Sequence, residues 1–164
     1  MKLPKILYLM VLFSVVSFSC SPDSTDDSLT SQKEHTYVPQ SKDIELEILE
    51  LINNYRDSIG LNRLQDMSII KAEAYPHTDY MIENNQVSHD GFLLRRENLM
   101  NNAGAISVGE NVAYGYATAE AVVNAWLNSD GHRAIIEGDY TNFDISAELD
   151  ENNRWYYTNI FIKK

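Results

Sequence analysis

Residues 143–161, FDISAELDENNRWYYTNIF, decide the class of fold, because the side-chain pattern there changes to a period of two. Residues 150–153 interrupt the alternation with a run that is typical of a turn. The segment therefore predicts an antiparallel β-hairpin. The alternating positions are Phe143, Ile145, Ala147 and Leu149 before the turn, and Trp155, Tyr157, Asn159 and Phe161 after it.

Upstream of the hairpin, apolar residues follow helical spacing. The first predicted helix has Ser41 as its N-cap and stops at Gly60. A second helix begins near residues 66–68, and Pro76 should kink it or restart it close to His77, because proline lacks the amide proton of a helical hydrogen bond. The patterns rest on Ile44, Ile48, Leu51, Ile52 and Tyr55 in the first helix and on Ile70, Ala74, Thr78 and Met81 in the second.

Two shorter helices and one more strand complete the pattern. The third helix ends before Gly104, and the fourth runs from Thr118 to Ser129, where Gly131 then breaks it. Residues 108–114 predict an additional strand. Four helices that cover a small sheet make an α+β domain. The third pattern rests on Leu93, Leu94, Glu97 and Leu99, and the inward positions of the fourth are Val122, Ala125 and Trp126.

The composition favours one folded acidic domain. A chain of 164 residues suits a single domain, and its 44% apolar and 10% aromatic residues can fill a core. The formal net charge is -11, and no run of lysine and arginine offsets it. A phosphate backbone would be repelled, so we expect no nucleic-acid partner.

Cys20 is the only cysteine, so the chain can form neither an internal disulfide nor a cysteine-rich zinc site. It follows two lysines and the apolar run 6–18, which has the character of a signal peptide and falls short of the about 20 residues of a membrane span. In one interpretation the cysteine is incidental to cleavage near Ser19, and the protein is secreted. In the other, the segment resembles a bacterial lipoprotein signal, with small Ser17 and Ser19 ahead of a lipid-bearing Cys20.

The lipoprotein resemblance implies three segments: a signal peptide at 1–19, an anchor and flexible tether at 20–40, and a folded domain at 41–164 held at the bacterial cell envelope. The tether is rich in Ser, Thr and Asp and too poor in apolar residues to fold. Its acidic cluster at 23–27 resembles the signal that accompanies display of lipoproteins on the outer-membrane surface in the Bacteroidetes. A solvated acidic linker explains the same cluster equally well.

Two histidines in non-periodic, polar segments and one glutamate among residues otherwise fit for burial are the candidates for chemistry. They are His89 in SHDG (88–91), Glu110 in VGENV (108–112) and His132 in SDGHR (129–133). Two imidazoles and a carboxylate can hold a zinc-like ion or move protons if they meet in space. A buried unpaired glutamate is costly, so Glu110 needs a partner.

The order of SHDG, VGEN and AWLNSDGHR, followed by a Trp-Tyr-Tyr strand, resembles the bacterial branch of the CAP superfamily. That superfamily is named for cysteine-rich secretory proteins, antigen 5 and the plant pathogenesis-related proteins. The resemblance extends to LINNYR (51–56) in the first helix and to His77 in the second. It therefore covers roughly residues 44–162.

The resemblance implies an α-β-α sandwich with a small central antiparallel sheet flanked by about four helices, and a surface cleft lined by two histidines and two acids. His89 and His132 correspond to the histidines, and Glu110 corresponds to the first acid. The second acid of the eukaryotic members falls on Ser129 here, with Asp130 adjacent. We therefore expect only weak binding of zinc or another divalent cation, through the two histidines with Glu110 as third ligand or as orienter.

Each candidate also has a structural interpretation. His89 could make local hydrogen bonds in its loop, Glu110 could brace its loop by accepting backbone N–H groups, and His132 could cap the fourth helix. The other polar residues are expected to be structural: His77 in helix packing, Asn111 in tying down a loop, Arg133 in neutralising nearby acids, and Tyr114, Tyr116, Tyr156 and Tyr157 in sheet packing or at the rim of a groove.

Two classes of function follow. The first is a binding module without turnover, whose cleft holds a divalent ion, a peptide, a glycan or a lipid, since no serine lies in a nucleophile-elbow motif. The second is a hydrolase in which His89 and His132 hold an ion or polarise water while Glu110 acts as the base. Carriage of sterols or fatty acids, known in some eukaryotic relatives, has no specific sequence feature here.

Overall fold

The structure, a computed structural model, describes residues 37–164. The predicted signal peptide, Cys20 and most of the predicted tether lie outside the described residues, so these assignments stay predictions. Within the described part, no helix combines the length and the apolar character that crossing a bilayer requires. The elements follow one another in the order α1, β1, α2, α3, β2, α4, α5, β3, β4.

The first helix, α1, spans Asp43–Ser58, as its apolar spacing predicts. Gly60 adopts a φ of +79° just beyond its end, which suits the predicted stop. The predicted N-cap is wrong, because the cap position is Lys42 rather than Ser41. The backbone N–H of Lys42 donates to the carboxylate of Glu45 at 2.7 Å, so a side chain three residues onward does the capping.

The second helix, α2 (Ser68–Glu83), is continuous through Pro76, so the predicted restart near His77 is wrong. A proline removes one helical hydrogen bond, and burial on both sides of it outweighs that loss. Ala74 and Thr78 are fully buried, and the Thr78 hydroxyl donates to the carbonyl of Ala74 at 3.1 Å. The packing of α2 on the sheet therefore keeps the helix continuous through Pro76.

The third helix ends as predicted, and the fourth begins as predicted. The third, α3, spans Phe92–Ala103 and ends at Gly104, whose φ of +71° makes a left-handed cap. The fourth, α4, spans Ala119–Leu127, and the Thr118 hydroxyl caps it by accepting from the N–H of Ala121 at 3.2 Å. Val122 and Trp126 are buried as predicted, while the predicted Ala125 is only half-buried.

A fifth helix, α5 (Asp130–Ile136), was not predicted. The expected break at Gly131 is wrong, because this glycine lies inside α5 and the chain turns instead at Asn128 and Ser129. A glycine inside a helix costs only about 1 kcal/mol, and the complete burial of Ile136 offsets it.

Four strands form one sheet in the order β1-β3-β4-β2. They are β1 (Gln65–Asp66), β2 (Ser107–Tyr114), β3 (Asn142–Leu149) and β4 (Trp155–Lys163). The predicted hairpin is β3 with β4, and the additional predicted strand is β2, which pairs antiparallel with β4. The two-residue strand β1 pairs parallel with β3, so the sheet is mixed rather than wholly antiparallel.

The two faces of the sheet are covered by different helices, as in the α-β-α sandwich that the resemblance implies. The face with Ala113, Tyr157 and Phe161 packs in a cluster with α1, α4 and α5. The opposite face, with Ile160 and Ile162, packs against α2 and α3. Alternation along β4 therefore places successive side chains on opposite faces of the sheet, in separate clusters of buried residues.

Candidate functional site

His89 lies in the loop between α2 and α3, and its side chain is 54% exposed. The loop turns at Gly91, where φ is +71°. Arg95 holds the turn, because its Nη1 donates to the carbonyl of Asp90 at 2.7 Å. A side chain at Gly91 would approach that same nitrogen to 3.3 Å, so glycine suits both the backbone conformation and the close contact.

Glu110 projects from β2 with a side chain that is only 1% exposed. Arg95 donates to both of its oxygens, from Nε to Oε2 and from Nη2 to Oε1, each at 2.8 Å. His89 Nδ1 donates to Oε1, also at 2.8 Å. The buried carboxylate thus has the partners that its burial demands. In the neutral imidazole, donation from Nδ1 leaves the lone pair of His89 on Nε2.

Gly109, directly before Glu110, allows close packing above β2. A Cβ at this position would lie 2.4 Å from the Tyr140 hydroxyl oxygen and 3.1 Å from Cγ2 of Ile135. Both distances are too short for a real side chain without movement of the neighbours. The glycine in VGEN therefore lets α5 and the segment after it approach the strand that carries Glu110.

His132 lies in α5, and its Nδ1 forms a hydrogen bond of 2.8 Å with the hydroxyl of Ser129. Ser129 is the residue in the second-acid position. The adjacent Asp130 has a side chain that is 93% exposed and is bound by Arg133 at 2.6 Å. Ser129 therefore faces His132 while Asp130 faces solvent, and Arg133 neutralises an acid as expected.

Two motif residues fix α5 against the rest of the fold. Arg56, from LINNYR, is buried and donates to the carbonyls of Ile136 at 2.6 Å and Gly138 at 3.0 Å, at the C-terminal end of α5. Asn111, beside Glu110, donates from Nδ2 to the carbonyl of His132 at 3.0 Å. The expected tying role of Asn111 agrees with this bond, which joins the backbone of His132 to β2.

A cleft of about 260 Å³ lies between these elements and is lined by His89, Glu110, Gly109 and Ile135 among others. His132 lies outside the lining, three residues before Ile135. Burial lowers the pKa of His132, and the charge of a protonated His89 lowers it further. The structure thus brings His89 into contact with Glu110 and places His132 nearby without contact to either.

The donor atoms of this site suit some metal ions and not others. Among residues 37–164, no three His, Cys, Asp or Glu side chains are arranged to hold an ion. Both oxygens of Glu110 are engaged, whereas neither imidazole Nε2 has a hydrogen-bond partner within that range. This set fits an ion held by imidazole nitrogen and completed by water, and it does not fit a zinc centre with three protein ligands. The predicted weak site stays a prediction.

Comparison with known protein families identifies the family to which the chain belongs. The model of CAP, the cysteine-rich secretory protein family, matches residues 49–161, which include His89, Glu110 and His132. The chain belongs to the CAP family. The matched segment runs from α1 to β4, close to the range that the sequence motifs indicated.

Two proteins of Bacillus subtilis (strain 168) are similar to this CAP chain. The uncharacterized membrane protein YlbC is 36% identical over 124 residues, which are 73% of this chain and 34% of that protein. The uncharacterized protein YkwD is 30% identical over 123 residues, which are 71% of this chain and 48% of that protein. The chain therefore spans about a third to a half of the length of these relatives.

Solved structures share the fold of this CAP domain. An extracellular protein containing an SCP domain from Bacillus anthracis str. Ames is 27% identical, with a TM-score of 0.63 over 77% of this chain and 45% of that chain. An outer surface protein from Borrelia burgdorferi is 21% identical, with a TM-score of 0.66 over 76% of this chain and 98% of that chain. The α+β fold is therefore confirmed.

Other polar residues of the CAP domain behave largely as expected. His77 is buried in α2, and its Nε2 lies 2.8 Å from the carbonyl oxygen of Ser88. Burial lowers the pKa of His77, in keeping with its predicted packing role. Of the four tyrosines, Tyr156 and Tyr157 are buried in the sheet, whereas Tyr114 and Tyr116 are 42% and 39% exposed.

Arg95 and the contact made by Ser129 in this CAP domain were not predicted from the sequence. The helical spacing could have predicted that Arg95 is buried. Arg95 precedes the buried Leu99 by one helical turn, so both residues lie on the inward face of the helix. A charged residue on a buried face requires an opposite charge nearby. The buried carboxylate of Glu110 likewise requires a positive charge nearby, so an ion pair between Arg95 and Glu110 could have been predicted.

Proposed function

We propose that this CAP domain is an extracytoplasmic binding module without turnover, which binds a divalent cation weakly through His89 of the cleft and the nearby His132. One observation carries the proposal: each imidazole is held through Nδ1, by Glu110 or by Ser129, and within residues 37–164 neither Nε2 has a hydrogen-bond partner. Histidine ligands in metal sites are oriented in the same way, by a hydrogen bond at the ring nitrogen that does not bind the metal.

Glu110 acts as an orienter of His89 rather than as a ligand. Its two oxygens accept three hydrogen bonds, two from Arg95 and one from His89. A metal ion would have to displace the arginine fork, which holds the carboxylate in a fixed plane. With two imidazoles and no third protein ligand, water completes the coordination and the affinity is low.

The hydrolase is the weaker alternative on the same grounds. It needs the Glu110 carboxylate as a base, and a base must reach the proton that it accepts. Glu110 is buried beneath His89 and Arg95, which occupy both of its oxygens. The geometry therefore supports an orienting role better than proton transfer to substrate.

Titration calorimetry of the detergent-solubilised full chain with Zn²⁺ at pH 7.5 tests the proposed ion site. We expect weak binding that is lost in the double variant His89→Ala/His132→Ala. His35→Ala removes a histidine from the predicted tether and is the matched control, which should keep wild-type affinity. Equal binding by wild type and the double variant would refute a role for the cleft histidines.

The extracytoplasmic location is supported by the predicted signal peptide and by the relatives, one named an outer surface protein and one an extracellular protein. We propose that lipidated Cys20 anchors the chain to the membrane, since the apolar run before it is too short to span. Membrane fractionation and mass measurement of wild type and Cys20→Ser test this. The wild type should be membrane-bound and heavier by its lipid; an unlipidated, soluble wild type would refute the anchor.

A further inference from the structure

A second concave site lies in the groove between α2 and α3. It has a volume of about 360 Å³ and shares no lining residue with the cleft at His89. Its lining includes Glu73, Pro76 and Tyr80 from α2, and Leu94 and Asn98 from α3. The volume falls within the about 300–1,000 Å³ that is usual for small-ligand sites.

Glu73 supplies a half-buried carboxylate to this groove. Asn98 Nδ2 donates to its Oε2 at 3.2 Å, and this bond leaves Oε1 available to a ligand. Arg95 also lines the groove, but its guanidinium is paired with Glu110. Burial raises the pKa of Glu73, as expected for a carboxylate whose charge is incompletely compensated.

The other ionisable groups that face the groove do not reverse its charge. Asp90 adds a second carboxylate, which accepts a hydrogen bond of 3.1 Å from the Tyr80 hydroxyl. His77 is neutral near pH 7, because burial lowers its pKa. With the charge of Arg95 matched by Glu110, the groove carries net negative charge. A cation is therefore favoured there over an anion.

The walls of the groove are apolar and open to solvent. The side chain of Leu94 is 62% exposed and that of Tyr80 is 40% exposed. The Tyr80 ring lies nearly parallel to the ring of His77, with 5.9 Å between ring centroids. Exposed apolar surface beside a desolvated carboxylate matches a ligand that has an alkyl chain and a charged end.

We propose that the groove between α2 and α3 binds an alkylammonium group, whose nitrogen bonds to Glu73 and whose methylene chain lies between Leu94 and Tyr80. A free diamine and a lysine side chain in a polypeptide share this chemistry. A fatty acid has the alkyl chain but would place its carboxylate against Glu73. The groove is thus distinct in both place and chemistry from the proposed ion site.

Calorimetric titration of the detergent-solubilised full chain at pH 7.5 and low salt tests this proposal. The probes are 1,5-diaminopentane and Nα-acetyl-lysine amide, with Nα-acetyl-norleucine amide as the uncharged control. We expect at least one amine to bind and the norleucine compound not to bind. Tighter binding of the diamine indicates a small-molecule ligand, and tighter binding of the lysine compound indicates a polypeptide. If neither amine binds, or if norleucine binds equally well, the proposal is overturned.

Variants separate the groove from general surface charge. Glu73→Gln keeps the acceptor for Asn98 and should weaken amine binding at least about tenfold, the value of one hydrogen bond to a charged group. Leu94→Asn, at an exposed position, should also weaken it. Glu83→Gln, an exposed residue of the same helix, is the matched control and should bind as wild type does. Equal weakening by Glu73→Gln and Glu83→Gln would show that binding is diffuse, which would overturn the proposal.

Discussion

Arg95 and Glu110 are joined by two hydrogen bonds of 2.8 Å, one to each oxygen of the carboxylate. The arginine comes from α3 and the glutamate from β2, and both side chains are nearly inaccessible to solvent. The same glutamate accepts from His89, so the ion pair fixes the position of a candidate ligand as well as the packing of a helix on the sheet.

Arg95→Gln is expected to lower the free energy of unfolding by about 3–5 kcal/mol, because the buried charge of Glu110 loses its arginine and keeps only the hydrogen bond from His89. Urea denaturation followed by circular dichroism measures the change. Arg96→Gln, at an exposed position of the same helix, is the control and should change stability by no more than about 0.5 kcal/mol. Similar stabilities for the two variants would contradict a structural role for the fork.

Gly109→Ala should destabilise the protein by about 1–3 kcal/mol, the usual cost of overpacking, because the new methyl group would meet Tyr140 and Ile135. The matched control is Gly131→Ala, since a Cβ there meets no atom within 4 Å and the residue lies inside α5. This control should stabilise by up to about 1 kcal/mol through helix propensity. Thermal unfolding of both variants tests the opposite signs, and a loss of stability in both would contradict the packing argument.

Asp144 makes stability depend on pH. Burial raises the pKa of Asp144 to about 6, and the charge of Asp66 adds to the rise while that of Lys71 opposes it. The folded state therefore holds a proton more tightly than the unfolded state does, and ionisation costs stability as pH rises from about 4 to 6.

Asp144→Asn should consequently raise the free energy of unfolding at pH 7.5 by about 1–3 kcal/mol, and this gain should vanish near pH 4. Chemical denaturation of variant and wild type at several pH values measures the difference. Glu151→Gln, in the exposed hairpin turn, is the control. A gain that is the same at pH 4 and pH 7.5 would show that the ionisation of Asp144 is not its source.

Ser129→Glu should tighten Zn²⁺ binding by about tenfold or more, the scale on which groups around a metal ligand change affinity. The substitution places a carboxylate where the Ser129 hydroxyl now contacts His132. Asp130→Glu is the matched control, because the side chain of Asp130 faces solvent. Calorimetric titration measures the Zn²⁺ affinity of both variants. An unchanged affinity in Ser129→Glu would mean that the side chain at position 129 does not contact the ion.

Local patterns were enough to predict much of the fold. The β3–β4 hairpin follows from period-two alternation about a turn, and α1 and α3 follow from helical spacing closed by Gly60 and Gly104, both of which have positive φ. The motifs also selected His89 and Glu110, which are in direct contact. Each of these features depends on residues close together in sequence or on the family pattern.

Tertiary structure decided the rest. The sequence determined the hairpin and where α1 and α3 end, but only packing carried α2 through Pro76 and kept Gly131 inside α5. The tertiary structure also brings Arg95 into contact with Glu110. The physical reason is that propensities act within a few residues and are worth about 1 kcal/mol each, whereas burial and ion pairing join distant segments and outweigh them.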